Sequence, residues 1–305
     1  MKVSVMIEGQ MGLTWPRWRA VAAEAERLGF AGIFRSDHFT NPSGDPDDAL
    51  ELITSLTYLA TATERLHFGP LVAPVSFRDP VHLARQAAAI ADLSGGRMIL
   101  GLGAGWQDRE HEAFGYELGD VPSRFARLQE GLEVVTRLLR AAPASFEGRF
   151  FTLREAPMLP APAHPIPILV GGNGPRRVLP LAARFADVWN GIFLTPEDFA
   201  ARCATLDELC AAAGRSPDAV RRTMMTGAYV GEKAWDRLRA NPSLQGKNDE
   251  EIGELLRSRG ALAGDAGDVR DQLAALEKAG ADELMVQWLD LNDLDGLASL
   301  AEILL

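Results

Sequence analysis

Short apolar runs alternate with stretches of helical spacing along almost the whole chain. Val3–Ile7 is apolar and brief. Trp15–Leu28 then places Trp18, Val21, Ala22, Ala25 and Leu28 on one side, and Gly29 ends it as a helix C-cap. The same alternation predicts further strands at Gly32–Phe34, Leu66–Val72, Arg97–Leu102, Ile166–Val170, Asp187–Ile192, Thr223–Val230 and Glu283–Gln287. Between them, helical spacing covers 50–63, 81–93, 124–140, 175–185, 196–213 and 269–279, and 294–304 follows the last strand. Eight short apolar strands separated by helices imply a parallel sheet covered on both faces. An open doubly wound sheet rarely needs eight such units in one series. The expected fold is therefore α/β, a closed (β/α)8 TIM barrel with insertions, forming a single domain over 1–305.

Two segments break the repeat. Phe146–Pro167 is rich in proline and aromatic residues, and Lys233–Ala263 is polar and charged. Both exceed ordinary loop lengths. Each reads equally as a lid or substrate wall, or as a solvated excursion or oligomer contact.

Composition narrows the function. The 305 residues carry a formal net charge of −11, and no cluster of Lys and Arg offsets it. Such a chain repels nucleic acid and anionic membrane surfaces, so the expected partner is a small-molecule substrate. No apolar run has the length of a membrane span, and Met1–Glu8 reads as a first buried strand rather than a signal peptide. Cys203 and Cys210 sit on one predicted helix, about 10 Å apart, too far for a disulfide. A cytoplasmic location is the resulting expectation. The five histidines have no metal-ligand spacing, so no metal is expected.

Four motifs fall after predicted strands, where barrel enzymes keep their chemistry. Arg35-Ser36-Asp37-His38-Phe39 follows the second strand. His38 suits proton transfer near neutrality, although Asp37 as a turn cap and His38 as a satisfied surface residue explain the run as well. The third strand and its exit, Phe68 to Pro80, hold Gly69-Pro70 within an apolar run, which predicts a bulge or a kinked strand end. Gly101-Leu102-Gly103-Ala104-Gly105-Trp106 follows the fourth strand. Its glycines allow close approach of a ligand, or make a tight turn at the rim. The spacing is not that of a dinucleotide fingerprint. Gly171-Gly172-Asn173-Gly174-Pro175-Arg176-Arg177 follows the fifth strand, with Pro175 suited to a first helical position. It reads as an anion site at a helix N-terminus or as a plain glycine turn. Either Arg176 or Arg177 would add positive charge.

In order and spacing these stretches resemble the luciferase-like monooxygenase superfamily, and more closely its coenzyme F420-using branch. The resemblance rests on Ser36-Asp37-His38-Phe39, Val72 to Pro80, Leu93 to Trp106, Val170 to Arg176, and Ala182 to Asn190. Leu93-Ser94-Gly95-Gly96-Arg97 through Gly105-Trp106 is its most specific part. The resemblance implies a TIM barrel, usually a homodimer, that binds F420 or alternatively FMN across the strand ends. It implies hydride transfer between F420 and a small organic substrate. An FMN-dependent monooxygenase and a non-catalytic flavin-binding barrel are the alternatives. By the same resemblance His38 and Asp37 are catalytic and lie near the ring. The ring rests on a bulge at Pro70, Leu71 and Ala73, with a non-prolyl cis peptide near Pro70-Leu71. Gly105 and Trp106 lie along the ring, and Gly172, Asn173, Gly174 and Arg176 hold the cofactor phosphate. Pro70 and Arg35 depart from the family's usual residues.

Overall fold

The computed structural model describes residues 1–305. The barrel begins with β1 (Lys2–Ile7), α1 (Trp15–Leu28), β2 (Gly32–Arg35) and α2 (Leu52–Ala62). Helix α1 buries Trp18, Val21, Ala22 and Ala25, and stops at Gly29 with φ 91°. The third barrel strand comes in two pieces, β3 (His67–Pro70) and β4 (Ala73–Pro74), and α3 (Pro80–Ser94) follows. Asp79 caps α3 by accepting from the Val81 and His82 amides, and Pro80 occupies a position where no amide is missed. Next come β5 (Leu100–Gly103), α4 (Asp108–Phe114) and α5 (Val121–Ala141), then a hairpin of β6 (Ala144–Glu147) and β7 (Thr152–Ala156). The remaining elements are β8 (Ile168–Gly171), α6 (Val178–Phe185), β9 (Val188–Ile192), α7 (Pro196–Ala212), β10 (Arg221–Tyr229), α8 (Glu232–Ala240), α9 (Asp249–Ser258), β11 (Leu262–Ala263), α10 (Ala266–Lys278), β12 (Glu283–Trp288) and α11 (Leu294–Leu304).

All barrel pairings are parallel, in the order β3-β2-β1-β12-β10-β9-β8-β5-β4. The ring closes because β3 and β4 are halves of one strand. Phe68 bridges Met98 in the lead-in to β5, while Ala73 and Pro74 pair with Leu102 and Gly103 of β5 itself. The barrel axis is filled, not open. Met6, Phe34, Leu71, Ile99, Leu169, Val188, Met225 and Met285, one from each of the eight strands, form the interior cluster. The opposite faces of the strands pack with the helices into a core of 64 buried residues. Alternation of inward and outward side chains makes this possible, except at the break in the third strand, where Leu71 belongs to the interior and Ala73 to the helix-facing core.

Several expectations shift. The non-prolyl cis peptide joins Leu71 and Val72, one residue beyond the predicted position. Pro175 does not open the sixth helix, because residues 175–177 form a turn and α6 starts at Val178. The two insertions lie at opposite ends of the barrel. Residues 146–167 follow a helix and precede a strand, which puts them at the N-terminal end, away from the strand tips. The Glu130 carboxylate of α5 accepts from the amides of Arg149, Phe150 and Phe151. Asp92 of α3 accepts from the Ala163 amide. This segment is a flank on the helix layer, and the lid reading does not apply to it. Residues 233–263 follow β10 instead and build α8, α9 and β11 over the C-terminal end, with β11 paired to β10.

Candidate functional site

A cavity of about 870 Å³ opens at the C-terminal ends of the strands. Its floor and walls come from nearly every strand, including Met6 in β1 and Glu8 after it, His38 after β2, Leu71 and Val72 at the break, Gly105 and Trp106 after β5, and Gly172 after β8.

Two glycines of the predicted ligand loop serve the barrel wall. A Cβ on Gly101 would collide with the Pro70 carbonyl, and one on Gly103 would collide with the Val72 side chain. The third and fourth strands can approach only without those side chains. Gly172 is different. It has φ 124° and lines the cavity. Its amide donates to the Asn190 carbonyl at 2.9 Å, and its own carbonyl accepts from the Trp189 indole at 2.9 Å.

His38 sits at the edge of the cavity, with Nδ1 2.9 Å from Glu110 Oε1. The other oxygen of Glu110 accepts from the Phe39 amide at 3.0 Å. A neutral imidazole beside a carboxylate donates through Nδ1, so its lone pair is on Nε2. Burial alone would pull the imidazole down. The hydrogen bond and charge of Glu110, with the charges of Glu8 and Asp37, outweigh burial, so His38 titrates above its ordinary value of 6.5. Trp106 packs edge-on to the His38 ring at 5.5 Å and is itself 58% exposed at the rim.

Asp37 does not line the cavity. Its carboxylate is buried and held by both arms of Arg78, from Nε and Nη2, each at 2.8 Å. Burial pushes its carboxyl up, against the pull of Arg78. Neighbours on a strand end point apart, which is why His38 faces the cavity and Asp37 faces the α3 side. Arg35 is also fully buried, and burial lowers it to about 10. It donates to the Ser36 carbonyl at 3.1 Å and to Ser55 Oγ at 2.8 Å. Gly9 leaves room for this guanidinium, since any side chain there would strike it.

The predicted residues divide accordingly. His38, Leu71, Gly105, Trp106 and Gly172 line the cavity, whereas Asp37, Pro70, Ala73, Asn173, Gly174 and Arg176 do not. Ala73 faces the helix layer. Asn173 ties β8 to β9, its Nδ2 donating to the Ile192 carbonyl at 2.6 Å and its Oδ1 accepting from the Ile192 amide at 2.8 Å. Arg176 points to solvent, while the Arg177 guanidinium lies 5.9 Å from the ring of Phe125, a cavity residue.

The roles of two groups, Glu110 and Asn190, are not legible in the sequence, and Glu8 joins them at the site. Glu110 lies on α4, a helix too short for its periodicity to register. Glu8 accepts from Gln287 at 2.8 Å and from Gln10 at 3.1 Å, forming a polar strip beside His38. Asn190 is wholly buried on the cavity wall. Its Nδ2 donates to Thr223 Oγ1 at 2.9 Å, and that hydroxyl in turn donates to the Trp189 carbonyl at 3.1 Å. This fixes the orientation of the amide and leaves Asn190 Oδ1 buried without a donor.

Residues 2–283 match the profile of the luciferase-like monooxygenase family. The F420-dependent glucose-6-phosphate dehydrogenase of Microbacterium testaceum is 30% identical over 206 residues, covering 66% of this chain and 60% of that one. The F420-dependent hydroxymycolic acid dehydrogenase of Mycobacterium tuberculosis is 29% identical over 214 residues, covering 70% of this chain and 59% of that one. This chain thus spans about 60% of the length of these relatives. An F420-dependent secondary alcohol dehydrogenase, solved with an F420–acetone adduct, has a TM-score of 0.83 at 20% identity, over 100% of this chain and 99% of that one. That likeness is one of fold. The family profile takes in every barrel strand from β1 into the start of β12, and the chain therefore belongs to the luciferase-like monooxygenase family.

Proposed function

We propose that this chain is an oxidoreductase, acting as one catalytic domain, that uses coenzyme F420 to move a hydride to or from a small organic substrate. The observation that carries the reading is the His38–Glu110 pair at the edge of a ring-sized cavity on the strand ends. The named relatives with F420 chemistry support the choice of cofactor.

The cavity fits the cofactor on its own terms. Asn190 Oδ1 is a buried acceptor without a donor, and a heteroaromatic ring with an edge N–H would supply one. Leu71 and Val72 offer an apolar surface for one face of the ring. Gly172 keeps the wall beside β8 free of side chains, and Arg177 at Phe125 provides a cation for an anionic tail. When bound, F420 supplies a ring carbon that takes or gives a hydride and, lacking the flavin nitrogen there, does not activate oxygen. In the oxidising direction His38 Nε2 takes the hydroxyl proton as the substrate carbon loses its hydride. The same atom returns a proton in the reducing direction. Glu110 holds the ring orientation and stabilises the imidazolium that forms.

Spectral titration with F420 and with FMN tests the reading. F420 should bind more tightly by about tenfold, the effect of one further charge-assisted contact. Tighter FMN binding would favour the monooxygenase alternative. A paired substitution tests the wall. Gly172→Val forces an L side chain into φ 124°, costing about 1–3 kcal/mol, and should lower cofactor affinity about tenfold or more. Gly174 has no such φ and its Cβ would make only ordinary contact with Val178. Gly174→Ala should therefore bind cofactor nearly as well as the parent. Equal effects of the two substitutions, measured by the same titration, would remove Gly172 from the site.

A further inference from the structure

A second cavity, of about 770 Å³, lies beside the first at the same end of the barrel. It is built between the tips of β10 and β12, roofed by α8 of the 233–263 insertion and closed on the outside by α11. Its surface is mainly apolar, with Val230, Leu238, Leu300 and Ile303 joined by the rings of Tyr229 and Trp288. Gln287 and Leu289 line both cavities. Gln287 is held in this shared wall by its bond to Glu8.

Charge decides what the pair of cavities can accept. The first cavity has no Lys or Arg in its lining, and Glu8 is its one carboxylate. The second has Lys233 and Arg237, but both are engaged at the lip. Lys233 Nζ meets Asp293 at 3.0 Å, and Arg237 Nη1 meets Asp290 at 2.6 Å. Glu232, Asp265 and Asp295 add further negative charge. A phosphate or carboxylate on the substrate would find no unpaired Lys or Arg in either lining, the Arg177 guanidinium lying outside both beside Phe125, and would be repelled. One polar group in the second lining is buried without a partner, the indole N–H of Trp288. It asks for an uncharged oxygen acceptor.

We propose that the second cavity receives the distal part of a neutral, lipophilic alcohol or carbonyl compound whose reacting carbon lies at His38, and that sugar phosphates are not substrates. This rests on the reading of the first cavity as the redox site. It goes further by making the 233–263 insertion the element that selects the substrate's tail.

Binding can be tested without cofactor. The probes are 2-butanone, 2-hexanone and 2-decanone, titrated by calorimetry and by tryptophan emission. Affinity should rise with chain length by up to about fourfold per methylene. Ala234→Trp on α8 and Ser299→Trp on α11 each place a large ring in the second cavity from partly or fully exposed positions, so the fold is preserved. Each should weaken 2-decanone at least about tenfold, the loss of two or three buried methylenes, and leave 2-butanone unchanged. Trp288→Phe should abolish most of the emission change. A flat chain-length series, 2-decanone binding unmoved in both folded Trp variants, or glucose 6-phosphate binding as well as 2-decanone would overturn the proposal. With F420 added, the Trp variants should raise KM for 2-decanol while kcat for 2-butanol stays unchanged. An enzyme that binds the ketone series as expected but shows no F420 turnover would overturn the redox reading and leave the cavity assignment standing.

Discussion

Replacing His38 by Asn should lower kcat by about 10²–10⁴-fold, the range for a positioned acid–base group, with cofactor affinity changed far less. Asn retains some hydrogen bonding toward Glu110 but has no lone pair that titrates near neutrality. The pH profile gives a sharper test. His38 lies above its ordinary 6.5 because Glu110 outweighs burial. Alcohol oxidation needs the imidazole neutral, so kcat/KM should rise with pH through an ionisation above 6.5 and level off beyond it. Carbonyl reduction should show the reverse limb, since the protonated ring is then the donor. Glu110→Gln removes the charge that raises His38, and should move that ionisation downward. A His38→Asn enzyme with near-normal kcat and an unchanged profile would sink the proton-transfer role.

Arg78→Ala should destabilise the fold by about 3–5 kcal/mol, the cost of stranding a buried charge. Asp37 is 3% exposed, and Arg78 makes two parallel bonds to it. The substitution leaves a carboxylate where water cannot replace the guanidinium. It also removes the bond from Arg78 to Glu51 at 2.9 Å, although that partner is half exposed and contributes little. Urea unfolding of Arg78→Ala beside the double variant Asp37→Asn/Arg78→Met separates the effects. The double variant removes the orphaned charge, so it should recover much of the loss. Equal stability of parent and Arg78→Ala would mean that the pair contributes nothing. Because Asp37 precedes His38, the single variant should also slow turnover by loosening the strand end that aims the imidazole.

The barrel was legible because its signal is periodic and repeated eight times. The interior cluster has one side chain from each strand, and each of those residues falls in or beside a predicted run. Pairing across the chain was hidden. Glu110 is 72 positions from His38, and Arg78 is 41 from Asp37. Residue type alone does not say which carboxylate meets which cation. The resemblance drew attention to Asp37 and His38 together, yet adjacent positions on a strand end face opposite ways, and only one reaches the cavity. The glycine motif after β5 had a similar ambiguity. A glycine that admits a ligand and one that admits a neighbouring strand look identical in sequence, and Gly101 and Gly103 are of the second kind. The insertion at 146–167 was legible as an excursion, but its side of the barrel depended on α5 ending just before it.

The ring of strands is completed by its first and last members. Lys2 of β1 lies opposite Glu283 of β12, and the register continues to Ile7 opposite Trp288. Until residues 283–288 have left the ribosome, β1 and β10 are both open edges with unpaired backbone groups. Contacts this distant in sequence are slow to form, and open edges invite pairing with other chains. A nascent polypeptide halted before β12 would therefore expose two adhesive borders around an almost finished wheel. Closure of the barrel therefore waits on β12, the strand that pairs with both β1 and β10.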